Sequence, residues 1–428
     1  MKYSSRLLIV IVIFLLCYIT YSFLWPDDKS PQHRVVLCIP VYGQSLALGE
    51  EATRITNFDS LRINYDGRIV TECLDYGFGY NDDIIIKQRL KKLLHYHKRS
   101  FELSLYGMAE ELVTQLGEDT IVCIFPGGRG MSRIKSINKG TSPYRKFLYE
   151  LQLAYKEAKK KGWEFYVPAI CWMHGESDII DYTNSDYKYL LKQFQIDISQ
   201  VVKAITHQEN DIPLICYQSN VLTRAKHFNA NDFESIEMKV SQAVVELIRD
   251  DTMFWASGPT YPYNIVNEKL HIDGIGQRHI GGLEAIAALN IIRKDRHDTG
   301  LYPDSISISD NNAIIHFNTP QPPLVLDTLT VSTIKHYGFN VITREGKDIL
   351  SKVIIGNNTV TLACSESPIN CKIRYAVNGE KMKSGHLHGP RGNLRDSQGN
   401  SKTIKISDRT YPLHNWCYQF DLLCTPNK

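Results

Sequence analysis

Apolar and polar positions divide the chain into stretches with different rhythms. From Leu7 to Leu24 it is apolar apart from Tyr18, Thr20, Tyr21 and Ser22, and carries no charge. Over 34–296, short and nearly continuous apolar runs alternate with segments whose apolar residues recur at helical spacing. RVVLCIPV (34–41), TIVCIF (120–125), FYVPAICW (165–172) and PLICYQ (213–218) predict strands. Leu105, Met108, Leu112, Val113 and Leu116 keep a helical period, and Gly117 suits the end of that helix. Further helices are expected from about Tyr144 to the Lys159–Lys161 run, and over 186–205, 236–248 and 277–292. The lysines closing the first of these complement the helix dipole. Strands without a polar face, separated by helices, imply a parallel sheet covered on both sides.

After Tyr302 the rhythm shortens. Ile306–Ser309, Ala313–Phe317, Leu324–Val331, Thr359–Cys364 and Lys372–Val377 are short β-type runs, with turn signals at Gly356-Asn357-Asn358 and Asn378-Gly379. A smaller, mainly β accessory domain is expected over 300–428. The apolar stretch at 7–24 has the length of a membrane-spanning helix. Lys2 and Arg6 precede it and Asp27 and Asp28 follow, which leaves the tail 1–6 in the cytoplasm and the rest outside. Ser22–Trp25 offers no small-residue cleavage site, so an uncleaved signal-anchor is expected, joined by a linker over 25–33.

The 428 residues exceed one compact core, and about two domains is the natural expectation. An apolar share of 43% with 22% charged residues is that of a globular protein. A net charge of +3 lacks the basic footprint of a nucleic-acid binder. The basic run Lys87–Arg99 reads as the solvated face of a helix. Cys38, Cys123, Cys171 and Cys216 sit in strand-like runs and read as core thiols. Cys364 with Cys371, and Cys417 with Cys424, are close enough in sequence for two local disulfides in an oxidising compartment. The chain has no Cys-x-x-Cys or His-x-x-x-His, and His386-Leu387-His388 is isolated, so no metal or cofactor is expected.

Ligands of open α/β sheets bind beyond the C-terminal ends of the strands. Three predicted strands run into Gly43-Gln44-Ser45, Gly127-Gly128-Arg129-Gly130 and His174-Gly175-Glu176-Ser177-Asp178, and Glu268-Lys269-Leu270-His271 precedes the last helix. Ser45 is the candidate nucleophile and His271 its base. Glu268, three residues earlier on one turn, is the candidate that orients the ring. The amides of Ser45, Gly128 and Gly130 and the side chain of His174 are candidate oxyanion donors. Gln44, Arg129, Glu176 and Gln218 are expected to touch substrate, with Tyr217 beside them. His279, with Asp273 upstream, is an alternative base.

These four blocks, in this order, resemble the SGNH hydrolases, in the branch with the sialate O-acetylesterases and related carbohydrate acetylesterases. That branch carries Gly-Gln-Ser after the first strand, a central glycine block, Trp-x-Gln-Gly-Glu-x-Asp and Asp-x-x-His. Here His174 stands in the glutamine slot and Glu268 in the aspartate slot. The resemblance spans roughly 34–295, and the β-domain motif Gly392–Asp396 is loosely similar to appended domains of some relatives. It implies a three-layer, flavodoxin-like sheet and a serine esterase that removes O-acetyl groups from a glycan. The alternative is a glycan-binding protein on the same scaffold.

Overall fold

The computed structural model describes residues 34–57, 64, 65, 67–71, 101–181, 186–235, 237–295 and 300–425. The expected tail, signal-anchor and linker, and the basic run at 87–99, lie outside these residues. Among the described residues no helix is long and apolar enough to cross a membrane.

The α/β part consists of β1 (Val35–Cys38), β2 (Val41–Gly43), β3 (Ile69–Thr71), α1 (Ser104–Gln115), β4 (Thr120–Ile124), β5 (Pro126–Gly128), α2 (Ser142–Lys160), β6 (Glu164–Tyr166), β7 (Ile170–Met173), α3 (Glu176–Ile180), α4 (Tyr187–Thr206), β8 (Leu214–Gln218), α5 (Met238–Asp250), β9 (Phe254–Pro259) and α6 (Gly274–Arg293). All strand pairs are parallel. β1 continues into β2, β4 into β5 and β6 into β7, with Ile39 and Val41 donating across the break to Cys123 and Phe125. The spatial order is therefore β3, β4/β5, β1/β2, β6/β7, β8, β9. Without the edge strand β3 this is the flavodoxin-like order, whose crevice opens beside the first strand.

Alternate side chains along each strand enter opposite cores, as the two-residue period of a strand requires. Cys38, Tyr42, Trp172 and Cys216 pack with Phe147 of α2, Phe194 of α4 and Val244 of α5. Ile39, Val41, Cys171, Met173 and Ile215 pack with Met108 of α1 and Ile280 of α6. β9 escapes the sequence pattern, because Ser257-Gly258-Pro259 interrupts its apolar run.

The C-terminal part is antiparallel. One sheet pairs Tyr302–Ser309, Asn312–Asn318, Thr359–Cys364 and Leu350–Ile355; another pairs Phe339–Ile342, Lys372–Tyr375 and Phe420–Leu423. Its last strand is stitched into the α/β part. Gly258 N donates to Tyr418 Oη at 2.7 Å, and Asp421 N donates to Gln242 Oε1 at 3.0 Å. The eight described cysteines are buried, and Cys123, Cys171, Cys216, Cys364, Cys371, Cys417 and Cys424 are free thiols. The expected pairing of Cys417 with Cys424 is corrected here. Cys371 lies across the sheet from Cys424, whose amide donates to Cys371 O at 2.8 Å, while Cys417 is buried elsewhere, beside Tyr261.

Candidate active site

β2, β5 and β7 end side by side, and two glycines let them approach. A Cβ on Gly43 would sit 1.9 Å from Met173 O; one on Gly128, at φ +112°, would sit 1.9 Å from Gly43 O. The chain leaves β2 into a tight turn in which Leu48 and Glu50 donate back to Ser45 O. That turn aims Ser45 and, six positions on, Glu51 toward the same side. Glu51 is itself left-handed, at φ +62°.

The second arm of the site follows β9. Val266 N donates to His271 O at 2.8 Å, and Ile265 bridges Ile272, so His271 closes a small loop. Asp273 caps α6 through Gly276 N at 2.8 Å and accepts from Asn264 Nδ2 at 2.8 Å. His271 is thus fixed two residues before Asp273, the cap of α6. Its Nε2 lies 2.8 Å from Ser45 Oγ, and its Nδ1 lies 2.7 Å from Glu51 Oε2. A carboxylate only accepts, so in the neutral ring Nδ1–H donates to Glu51 and Nε2 accepts the Ser45 hydroxyl. Glu50 Oε2 is 3.8 Å from Nε2 on the same side. Ser45 is 2% exposed and His271 9%, so the chain is sheltered from water yet reaches the surface at Glu51.

Glu268 does not meet His271. Asn267 and Glu268 both adopt φ +53°, so the helical spacing assumed for Glu-x-x-His is broken. The Glu268 carboxylate turns outward to Lys383 Nζ at 2.6 Å and to His388 Nδ1. Lys383 first, and His388 with it, hold that carboxyl below its ordinary range. Glu51 takes the position expected of Glu268.

His174 is also placed differently from expectation. Its Nε2 donates to Ser132 O at 2.8 Å, and its Nδ1 faces Tyr187 Oη at 3.1 Å. The ring is buried, with both nitrogens engaged inside the protein, and burial lowers its pKa despite nearby Asp178. It braces the Arg129–Arg133 loop from below, and is not available as an oxyanion donor. Asp178 supports the same loop by accepting from Ile134 N at 2.9 Å.

Among the candidate donors, the amides of Ser45 and Gly130 make no hydrogen bond to described residues. Gly128 lies in β5, in register with Gly43. Of the expected substrate contacts, only Arg129 is exposed, with Nε held by Ser132 Oγ at 2.9 Å, beside the exposed Met131. Gln44 is buried and accepts from Ser177 N at 3.4 Å, tying the β2 and β7 loops. Glu176 is buried against the hydroxyl of Tyr217, and its Oε2 has no partner among the described residues. Gln218 is spent on the C-terminal β-rich part: its Nε2 donates to Gln419 O at 2.8 Å, and its Oε1 accepts from Gln419 N at 2.7 Å. His279 lies inside α6, packed edge-on against Tyr263 and Tyr411, and burial lowers it to about 4.

Two residues escaped the sequence reading. Glu51 looked like surface charge, and only its place six residues after Ser45 on a glycine-bearing turn could have marked it. Asn220, just beyond β8, is 1% exposed with both side-chain polar atoms unpartnered among the described residues. Among the described residues, no group of three or more His, Cys, Asp or Glu could hold a metal ion.

The Ser45–His271–Glu51 series lies at the switch point of a flavodoxin-like parallel sheet. The structure is similar to a carbohydrate acetylesterase from Xanthomonas citri, at 15% identity and TM-score 0.58, over 91% of this chain and 80% of that one. That likeness establishes a shared fold covering both the sheet domain and much of the accessory region. NanS (14% identity, TM-score 0.42, 62% of this chain, 99% of that one) and a carbohydrate acetylesterase from Sinorhizobium meliloti (12%, 0.33, 61%, 99%) also align. No protein-family model and no curated protein matches the chain.

Proposed function

We propose that the protein is a serine carbohydrate O-acetylesterase of the SGNH type, with Ser45, His271 and Glu51 as its catalytic residues. The observation that carries this reading is the unbroken line from Ser45 Oγ to His271 Nε2 at 2.8 Å and from His271 Nδ1 to Glu51 at 2.7 Å. A protein that only binds glycans has no need of a hydroxyl, an imidazole and a carboxylate in series. The fold shared with an acetylesterase raises the expectation without fixing the chemistry.

Ser45 Oγ attacks the acetyl carbonyl carbon while His271 Nε2 takes its proton. Glu51 holds the ring in the Nδ1–H form and stabilises the imidazolium. The carbonyl π pair moves onto oxygen, where the Ser45 amide, with one from the Gly128–Gly130 loop, donates to the oxyanion. Collapse breaks the ester C–O bond, and His271 returns the proton to the departing sugar oxygen. Water, deprotonated by His271, then attacks the acetyl-serine, and acetate leaves as Ser45 regains its proton. Arg129, on the exposed rim, is the contact for a polar or anionic sugar such as a sialic acid or a surface polysaccharide. The uncharged Leu7–Leu24 segment supports an N-terminal anchor that would place this site outside the cytoplasm.

The test is acetate release from p-nitrophenyl acetate and from a panel of O-acetylated glycans, with Ser45→Ala and His271→Ala beside wild type. Loss of turnover in both variants is expected. Undiminished turnover in either, or glycan binding with no turnover in wild type, would contradict the esterase reading.

A further inference from the structure

The accessory domain does more than dock beside the sheet. Its segment Glu380–Gly389 crosses between the loop after β8 and the loop that carries His271. Met382 N donates to Thr223 O at 3.1 Å, and Thr223 Oγ1 donates to Lys383 O at 2.6 Å. On the other side, Ser384 N donates to Glu268 O at 3.0 Å. Gly385, at φ +90°, packs so closely that a Cβ there would lie 2.7 Å from Ile265 Cγ1. The segment is folded on itself, with Glu380 N donating to His388 O at 2.7 Å. It therefore arrives as a preformed clasp, and only glycine allows the closest approach.

The loop it grips needs gripping. Asn267 and Glu268 are consecutive non-glycine residues in the left-handed region. Such conformations persist only where surrounding contacts impose them. The contacts at hand are two side chains of the clasp, Lys383 Nζ at 2.6 Å and the ring of His388 on the Glu268 carboxylate, together with Ser384 on its carbonyl. His271 follows three residues later, and its carbonyl closes the same loop through Val266 N.

We propose that the accessory domain is part of the active site, and that Glu268, clasped by Lys383 and His388, is a positioning residue for the His271 loop. The proposal rests on the serine-esterase reading for its effect on turnover, but not for its effect on the loop. Aligned acid–base geometry is sensitive to displacements of about 1 Å, which can cost up to about a hundredfold in rate. Freed from its clasp, the loop relaxes from its left-handed pair, and His271 Nε2 spends less time on Ser45 Oγ. Substrate contacts on the Arg129 side are untouched, so kcat falls and KM stays.

The test uses the full chain. Glu268→Gln and Lys383→Met are compared with wild type, with the charge-reversed pair Glu268→Lys/Lys383→Glu, and with Lys347→Met. The last removes a similar ion pair (Lys347 to Glu366, 2.6 Å) on a distant hairpin of the same domain. Two readouts are taken: hydrogen exchange of the 264–272 amides, and kcat and KM for p-nitrophenyl acetate. The expected result is faster exchange across 264–272 and a kcat about tenfold lower at unchanged KM in both single variants. The reversed pair should recover most of that loss, and Lys347→Met should behave as wild type. Unchanged exchange in the single variants would overturn the clasp, whether or not the protein is an esterase. Faster exchange with unchanged kcat would overturn the positioning role. Faster exchange in a protein whose turnover also survives Ser45→Ala would uphold the clasp and overturn its catalytic role together with the serine reading.

Discussion

The two arms that meet at His271 are held by opposite means. The Ser45–Glu51 turn is braced from within its own domain: two glycines bring β2, β5 and β7 together, Gln44 ties it to the β7 loop, and Ser45 O accepts two amides of the turn. The Val266–His271 loop has its helix cap on one side and a pair of left-handed residues on the other, and those lean on the C-terminal β-rich part. One arm is rigid by sheet packing, while the other borrows its shape from the C-terminal β-rich part. Two glutamates illustrate the contrast. Glu51 orients the imidazole directly, and Glu268 reaches it only through the backbone.

The largest expected effect breaks both arms at their meeting point. Ser45→Ala should lower kcat by at least about a thousandfold, with secondary structure unchanged by circular dichroism. Next, Glu51→Gln should cost about a hundredfold in kcat, well beyond the tenfold or so expected for Glu268→Gln. The reverse order in side-by-side steady-state kinetics would exchange their roles. His174→Phe removes a buried tie to Ser132 O and should destabilise the fold by about 2–3 kcal/mol, read from denaturant midpoints. Its effect on kcat should be smaller than that of Glu51→Gln, because it acts only through the Arg129 loop.

A pH-dependent effect concerns the floor beneath the site. Glu284 of α6 is buried, and neither of its oxygens meets a hydrogen-bond donor in good geometry. Burial pushes it up to about 8, against the weaker pull of Ser104 and Cys171 beside it. Its folded form is therefore neutral where the unfolded chain, near 4.5, has already lost the proton. The unfolded state binds fewer protons between about pH 4.5 and 8, so this group lowers stability as pH rises through that window. Glu284→Gln should match wild type near pH 4 and gain on it by about 1 kcal/mol per pH unit up to about pH 8. Thermal melts across that range check it, and a constant difference would rule out the buried neutral acid.

What the sequence revealed follows the same division. The meeting of Ser45 with His271 was legible because both lie where strands or loops lead into helices, and the parallel sheet fixes where those ends converge. Glu51 and Glu268 were not, because i,i+3 spacing implies a shared face only where the backbone is helical, and the left-handed Asn267 and Glu268 cancel that premise. Gln218 and Glu176 were expected to touch substrate and His174 to donate to the oxyanion. Each is turned inward by a partner far along the chain: Gln419, Tyr217 and Ser132 respectively. Such partners leave no periodic trace. β9 was missed because Gly258 and Pro259 interrupt its apolar run, and Leu329, read as part of a strand, is exposed in a turn after Val325–Leu326.

The most direct test of the account is labelling with a fluorophosphonate, followed by peptide mapping of the adduct. The account predicts a single labelled serine, Ser45, with labelling abolished in His271→Ala, slowed strongly in Glu51→Gln and slowed mildly in Glu268→Gln. Label on another residue, or labelling of Ser45 at the same rate without His271, would contradict it.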